Sequence, residues 1–246
     1  MKLAVLADIH GNASALEAVL ADAEAQGATD YLVLGDLCYR GPKPKESLEL
    51  IRKLHAKVIK GNADAWAVRG VKEGEVPDSA LQMMQTEQTF TASCLSEEDI
   101  QYLDSLPTTL EIPLTNKRQM FAFHATPESI FDVVSQEASN QTFEAWTKEN
   151  PRAEFLTYGH IHVSHFRHID GRKIFNPGSI GLPFDGDPRA SYVILKREEN
   201  DINLDFRRVS YDINKAVKDL EESGYPPSAV PLLTHIYMNG ARPAAQ

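Results

Sequence analysis

Short apolar runs alternate with amphipathic stretches along the first sixty residues, and a polar residue able to hold a ligand stands at the end of each run. Residues 2–7 (Lys-Leu-Ala-Val-Leu-Ala) read as a strand that ends at Asp8. The next stretch places Leu16, Val19 and Leu20 on one helical face, with Ser14 and Glu17 spaced as a capping box and Gly27 as the stop. Tyr31-Leu32-Val33-Leu34 is a continuous apolar run, as expected of a strand covered on both faces, and Gly35-Asp36 ends it. Leu48, Ile51 and Leu54 mark a second helix, and residues 57–60 form a short strand that ends at Gly61-Asn62. Strands alternating with helices predict an α/β fold with a largely parallel, right-handed sheet.

Residues 65–106 change character and become helical and polar, with Ser96-Glu97-Glu98-Asp99 as a helix start and Pro107 as a stop. Such a segment buries little core alone. It reads as a helical insertion within a single domain spanning residues 1–246, and as a candidate lid carrying Trp66, Met83, Met84 and Phe90; ordinary helix packing is the simpler role for those four. Strands resume at 109–114 and 119–123, the second ending in His124. A helix over 138–149 and a strand over 154–158, ending in Gly159-His160, come next. From 163 to about 209 strands and turns alternate, with Asp170-Gly171 as a hairpin turn, Asn176-Pro177-Gly178-Ser179 as a tight loop, and a second hairpin over 190–195 and 202–209. Asp212 caps a final helix that stops at Gly224, and the tail past about 240 is expected to be loose.

Composition changes this picture little. At 246 residues, 42% apolar and 24% charged, the chain is an ordinary soluble globular one, and its net charge of −10 argues against a nucleic-acid backbone as partner. Cys38 and Cys94 form no pair or framework and read as free thiols of a reducing cytosol. No stretch reaches the length of a membrane span or resembles a signal segment, so the expected location is cytoplasmic, with no membrane partner. The sequence carries no signal for an oligomeric state.

The chemistry resides in seven residues: Asp8, His10, Asp36, Asn62, His124, His160 and His162. All lie at or just past strand ends, where α/β sheets present their reactive groups. Asp8/His10 and His160/His162 are i, i+2 pairs whose side chains point the same way in extended backbone. Glycine precedes Asp36 and Asn62 and allows close approach. Two carboxylates, an amide and four imidazoles suit two divalent ions, with Mn²⁺ the first choice and Fe, Zn²⁺, Co²⁺ and Ni²⁺ open. Two dications, two Asp and a hydroxide leave a net charge near +1, which draws a small phosphorylated substrate. Arg40 is a candidate substrate contact able to fork onto phosphate, or else a surface residue. Asn12 reads as a helix cap or a polar group of the pocket, and Asp64 as a cap or a group near the site. His165 reads as structural, and Asn176 and Ser179 as shaping a loop beside the ligands.

The ordered strings Asp8-Ile9-His10-Gly11-Asn12, Gly35-Asp36, Gly61-Asn62-Ala63-Asp64, His124 and Gly159-His160-Ile161-His162 resemble the calcineurin-like metallophosphoesterase superfamily. Asn176-Pro177-Gly178-Ser179 resembles a motif of its bacterial phosphodiesterase, diadenosine-tetraphosphatase-like branch. The resemblance implies a four-layer α-β-β-α sandwich. It implies one ion on Asp8, His10, Asp36 and His162 and a second on Asp36, Asn62, His124 and His160, with Asp36 bridging and Asp36, Asn62 and His124 catalytic. The implied reaction is in-line attack of a metal-bound hydroxide on a phosphodiester or phosphoanhydride, with nucleotides and dinucleoside polyphosphates as the favoured substrates. Where many members have a histidine that protonates the leaving group, this chain has Ala63. That favours esters whose leaving oxygen is already stable and disfavours the alternative of a protein Ser/Thr phosphatase. The remaining alternative is a non-catalytic scaffold of the same fold, which retention of all seven ligands opposes.

Overall fold

The computed structural model describes residues 1–198 and 201–243. In chain order the elements are β1 (Lys2–Leu6), α1 (Ala13–Ala25), β2 (Asp30–Val33), α2 (Pro44–Lys53) and β3 (Lys57–Val58). Three consecutive helices follow, α3 (Asn62–Arg69), α4 (Asp78–Cys94) and α5 (Glu97–Ser105). Then come β4 (Thr109–Pro113), β5 (Gln119–Phe123), α6 (Asn140–Glu149), β6 (Ala153–Thr157), β7 (His165–Ile169) and β8 (Arg172–Asn176). β9 (Ala190–Glu198), β10 (Asp201–Val209), α7 (Ile213–Glu222) and α8 (Val230–Asn239) complete the order.

The strands form two five-stranded sheets, in the orders β10-β9-β1-β2-β3 and β4-β5-β6-β8-β7. Each is mixed. β1, β2 and β3 are parallel as the alternation predicts, but β9 joins β1 antiparallel. In the second sheet β5, β6 and β8 are parallel and the edges β4 and β7 run antiparallel. The largely parallel sheet is thus corrected to two mixed sheets: hairpins join β4 to β5, β7 to β8 and β9 to β10, and β9 returns from the second sheet to run against β1.

Strand alternation explains the layering. Leu3, Val5 and Ala7 pack with Leu32, Leu34, Met120, Ala122, Phe155 and Phe175 in the core between the two sheets. Ala4, Leu6 and Val33 face the other way, onto Leu16 and Val19 of α1 and Leu48 and Ile51 of α2. Phe123, Leu156 and Ile174 meet Phe143 and Trp146 of α6 outside the second sheet. Both faces of both sheets are therefore covered, which gives the four-layer α-β-β-α sandwich.

Local detail departs from expectation in three places. The cap of α1 is Asn12, whose side chain accepts from the Ala15 amide at 3.1 Å, while Ser14 lies inside the first turn and accepts from Lys215 instead. The third strand ends at Val58. α8 was not anticipated: the final helix was expected to stop at Gly224, yet Pro231 sits in the first turn of a further helix, where a missing N–H breaks no bond. The last part of the tail expected to be loose, residues 244–246, lies outside the described residues. No described helix is long and apolar enough to cross a membrane.

Candidate metal centre

All seven predicted residues come together at one edge of the two sheets. Asp8 and His10 follow β1, Asp36 follows β2, and Asn62 opens α3 just past β3; His124 follows β5, and His160 and His162 follow β6. The i, i+2 pairs converge for a different reason from the one the spacing suggested. Asp8, His10, Asp36, His160 and His162 all adopt left-handed backbone, with φ of 54°, 50°, 58°, 68° and 59°. Extended geometry at these positions is corrected to paired left-handed turns. Such conformations cost of order 1–3 kcal/mol each and persist only where surrounding structure imposes them.

The surroundings that impose them are on the same strand ends. The amides of Ile9 and His10 both donate to the Asp36 carbonyl at 2.9 Å. The Ser179 hydroxyl donates to the Asp8 carbonyl at 2.7 Å, and the Asn176 amide donates to the Gly159 carbonyl at 2.6 Å. The Asn176–Ser179 loop thus clamps both ligand-bearing turns, as its sequence suggested. Gly61 is required by close approach: a Cβ there would lie 2.1 Å from Asp36 Oδ1 and 2.8 Å from the His124 ring.

Two groups of candidate ligands share Asp36. In the first, one donor atom from each of Asp8, His10, Asp36 and His162 lies within 4.8 Å of the others; the second joins Asp36, His124 and His160 in the same way. Asn62 belongs to the second, since its Oδ1 lies 2.8 Å from both His124 Nε2 and His160 Nδ1. Asp36 Oδ2 is 3.5 Å from His10 Nε2 and Oδ1 is 3.4 Å from His124 Nε2, so its two oxygens address the two groups separately.

The donor set fits cations on evidence internal to the site. His10 Nδ1 donates to the Tyr39 carbonyl at 2.8 Å and His162 Nδ1 to the Leu182 carbonyl at 2.6 Å. Those bonds fix the tautomers and turn the Nε2 positions inward, where they stand 3.1 Å apart with at most one proton to share. Asp8 Oδ2 is buried with no hydrogen-bond donor among the described residues. A buried lone-pair cluster of this kind is costly unless a cation completes it.

The ionisation pattern agrees. Burial, joined by the neighbouring Asp36, drives the Asp8 carboxyl well above its ordinary pKa despite His124. Burial also raises Asp36, but His124, then His10 and His160, outweigh it and hold that carboxyl ionised. Burial lowers His10 and His162, and lowers His160 to about 4, so all three rings are neutral and able to ligate near pH 7. His124 differs: burial opposes its charge, but Asp36 and Asp8 prevail and lift it to about 9.

The other predicted residues divide. Asn12 serves as the α1 cap, and its amide also donates to Gly181 at 3.3 Å and to Tyr211 at 3.4 Å. Arg40 is no free surface residue: its Nε pairs with the buried Glu87 at 3.2 Å, and its terminal nitrogens have no hydrogen-bond partner among the described residues. Asp64 is both a cap and a support, accepting from the amides of Gly61 and Asp36 at 2.8 Å and of Leu37 at 2.9 Å. His165 is structural, bonded to the Tyr158 hydroxyl at 3.1 Å. Within the helical insertion, Met83 and Phe90 pack against the α7–α8 core, and Met84 and Trp66 against the helix side of the first sheet. Sequence reasoning missed the orienting carbonyls of Leu34, Tyr39 and Leu182, which no side-chain motif encodes. It also missed Phe184, which stacks on the His162 ring at 4.4 Å.

Comparison with known proteins agrees with this geometry. Residues 1–200 match the model of the calcineurin-like phosphoesterase superfamily domain. An uncharacterised protein of Methanocaldococcus jannaschii is 30% identical over 241 residues, covering 91% of this chain and 93% of that protein. The phosphodiesterase YfcE of Escherichia coli is 29% identical over 212 residues, covering 82% of this chain and 89% of its own length. A metallophosphoesterase structure from Sphaerobacter thermophilus superposes with a TM-score of 0.76 at 28% identity, covering 98% of this chain and 99% of that one. The chain belongs to the calcineurin-like phosphoesterase superfamily.

Proposed function

We propose that the protein is a dinuclear-metal phosphoesterase that hydrolyses a phosphodiester or phosphoanhydride of a small, nucleotide-type substrate. The observation that carries this reading is the pair of ligand groups joined through Asp36, with inward-facing imidazole nitrogens and an orphaned Asp8 oxygen. Asp8, His10, Asp36 and His162 would hold one divalent ion and Asp36, Asn62, His124 and His160 the other, with Mn²⁺ the first metal to test. Ions held there supply Lewis acidity toward a phosphoryl oxygen and lower the pKa of water to about 7.

The chain's own residues set what such a site can cleave. Asn62 and Ala63 open α3, and Ala63 offers only its amide, already donated to Asp36 Oδ1 at 2.8 Å. No imidazole stands there to protonate a leaving group, a contribution of about 10²–10⁴-fold elsewhere. Aryl esters and anhydrides, including the anhydride bonds of nucleoside polyphosphates, leave without that help; serine alkoxide does not. The helical insertion over 65–106 reads as a fixed wall of a single domain, since Tyr39 bonds the Met84 carbonyl at 2.7 Å and Tyr225 of the C-terminal region bonds Glu87 of α4.

The test is hydrolysis of bis-aryl and mono-aryl phosphates by protein reloaded with Mn²⁺, Zn²⁺, Co²⁺ or Ni²⁺, with metal content measured in parallel. Diester turnover well above monoester turnover supports the reading. Metal-loaded protein that turns over neither sinks it and leaves the scaffold alternative.

A further inference from the structure

A guanidinium outside the candidate ligand set lies one ring away from it, with no ion-pair partner among the described residues. Arg242, just past α8, lies over the Phe184 ring at 4.3 Å, and Phe184 in turn stacks on His162 at 4.4 Å, with 13° between the rings. The arrangement is built from backbone on both sides. The Phe184 amide donates to the His162 carbonyl at 3.1 Å, and the Gly186 amide donates to the Gly240 carbonyl at 2.9 Å. Gly240 is left-handed and ends α8 against Asp187 so closely that a Cβ would meet the Asp187 carbonyl carbon at 2.4 Å. The turn after α8 therefore delivers Arg242 to Phe184.

Arg242 has no hydrogen bond and no ion pair among the described residues. The nearby carboxylates are committed elsewhere, Asp185 to Arg208 and Asp187 to Arg189. Desolvation first, and then the Arg40 guanidinium, lower the Arg242 pKa. Arg40 contributes terminal nitrogens that Glu87 leaves unused. Arg40 directly follows Tyr39, whose carbonyl holds His10, and Arg242 reaches His162 through Phe184, while His10 and His162 stand 3.1 Å apart. Both guanidiniums therefore belong to the surroundings of one group of candidate ligands, a setting that suits an anion.

We propose that Arg242, with Arg40, forms an anion subsite that takes a second phosphate of the substrate and so selects oligophosphates over single phosphates. This rests on the phosphoesterase reading of the metal centre, but its readout is binding. The probes are tripolyphosphate and inorganic phosphate, titrated calorimetrically into the metal-loaded full chain. The wild type is expected to prefer tripolyphosphate, and Arg242→Ala to cut the ratio of the two affinities roughly tenfold. Arg242→Lys, which keeps the charge, is expected to retain more of the ratio than Arg242→Ala. An unchanged ratio overturns the subsite, as does a lysine variant as poor as alanine, which would assign the loss to packing on Phe184. Diester turnover by the wild type is scored separately: its absence would refute the function proposed above while leaving the binding ratio readable.

Discussion

His10 and His162 face each other with their Nε2 atoms 3.1 Å apart, each ring locked in place by a backbone carbonyl on its far side. Two imidazole lone pairs cannot bond each other, so the pair is satisfied by a shared proton or by a metal ion. Replacing either ring with alanine should remove one ion and leave the other. Metal analysis after dialysis should fall from about two ions per chain to about one. Saturating metal should also raise the wild-type melting temperature more than the variant's, since a ligand at 1,000 times its Kd stabilises by about 4 kcal/mol. Retention of both ions by both variants would show that these rings are not ligands.

His124 should report metal binding as proton release. Its Nδ1 donates to Leu34 at 2.6 Å and its Nε2 to Asn62 at 2.8 Å, the pattern of an imidazolium beside Asp36. Its pKa, lifted to about 9 by Asp36 and Asp8 against desolvation, means that the charged pair stabilises the metal-free fold fully below about 6.5. That contribution is lost as pH rises through 9. A cation displaces the proton, so affinity should climb about tenfold per pH unit between 7 and 9. Calorimetry in buffers of different ionisation enthalpy should show proton release at pH 7.5, and His124→Gln should reduce it by about one proton. Buffer-independent heats in the wild type would contradict the assignment.

Asp64 touches no ligand side chain but holds three amides around Asp36. Burial first, and then Asp36, raise its pKa to about 6, which still leaves it ionised at pH 7.5. Asp64→Asn keeps the shape and turns an N–H₂ toward an amide donor. The expected loss is about 10–100-fold in metal affinity, as for other groups that support metal ligands, together with a melting temperature lowered by about 2–8 °C because at least one buried amide loses its acceptor. A variant that binds metal normally would reduce Asp64 to a helix cap.

Asp99 should contribute to acid stability. It caps α5 through a reciprocal bond set with Ser96 and receives Lys45 at 2.6 Å. Burial raises its pKa, but the Lys45 and Ser96 bonds more than compensate and hold it at about 2. Its folded pKa is thus depressed, so its stabilisation is present above about 3.9 and disappears as pH falls through 2. Asp99→Asn should lower the melting temperature at pH 7 by about 2–4 °C, with the difference from wild type shrinking toward pH 2. A gap that stays constant down to pH 2 would show that the charge is irrelevant.

Much of the fold was legible because burial on both faces leaves a plain trace. The run Leu3–Ala7 is apolar throughout, and alternate residues serve the inter-sheet core and the helix side. The α1 cap was misplaced by two residues because Ser14 and Asn12 are both competent caps by type, and the choice depends on where β1 releases the chain. α8 was missed because proline is ambiguous without knowledge of which turn it occupies.

The amino-acid sequence by itself determined which residues are candidate ligands, since aspartate, asparagine and histidine at strand ends advertise their chemistry through residue type and order alone. Only the tertiary structure decided how they meet. Left-handed turns rather than extended pairs aim Asp8, His10, His160 and His162, and main-chain carbonyls of Leu34, Tyr39 and Leu182 select the imidazole tautomers. It alone coupled Arg40 to Glu87 and brought Arg242 onto Phe184. The physical reason is that residue type specifies what a group can bind, whereas the neighbours that orient and charge it are set by packing between segments remote in the chain.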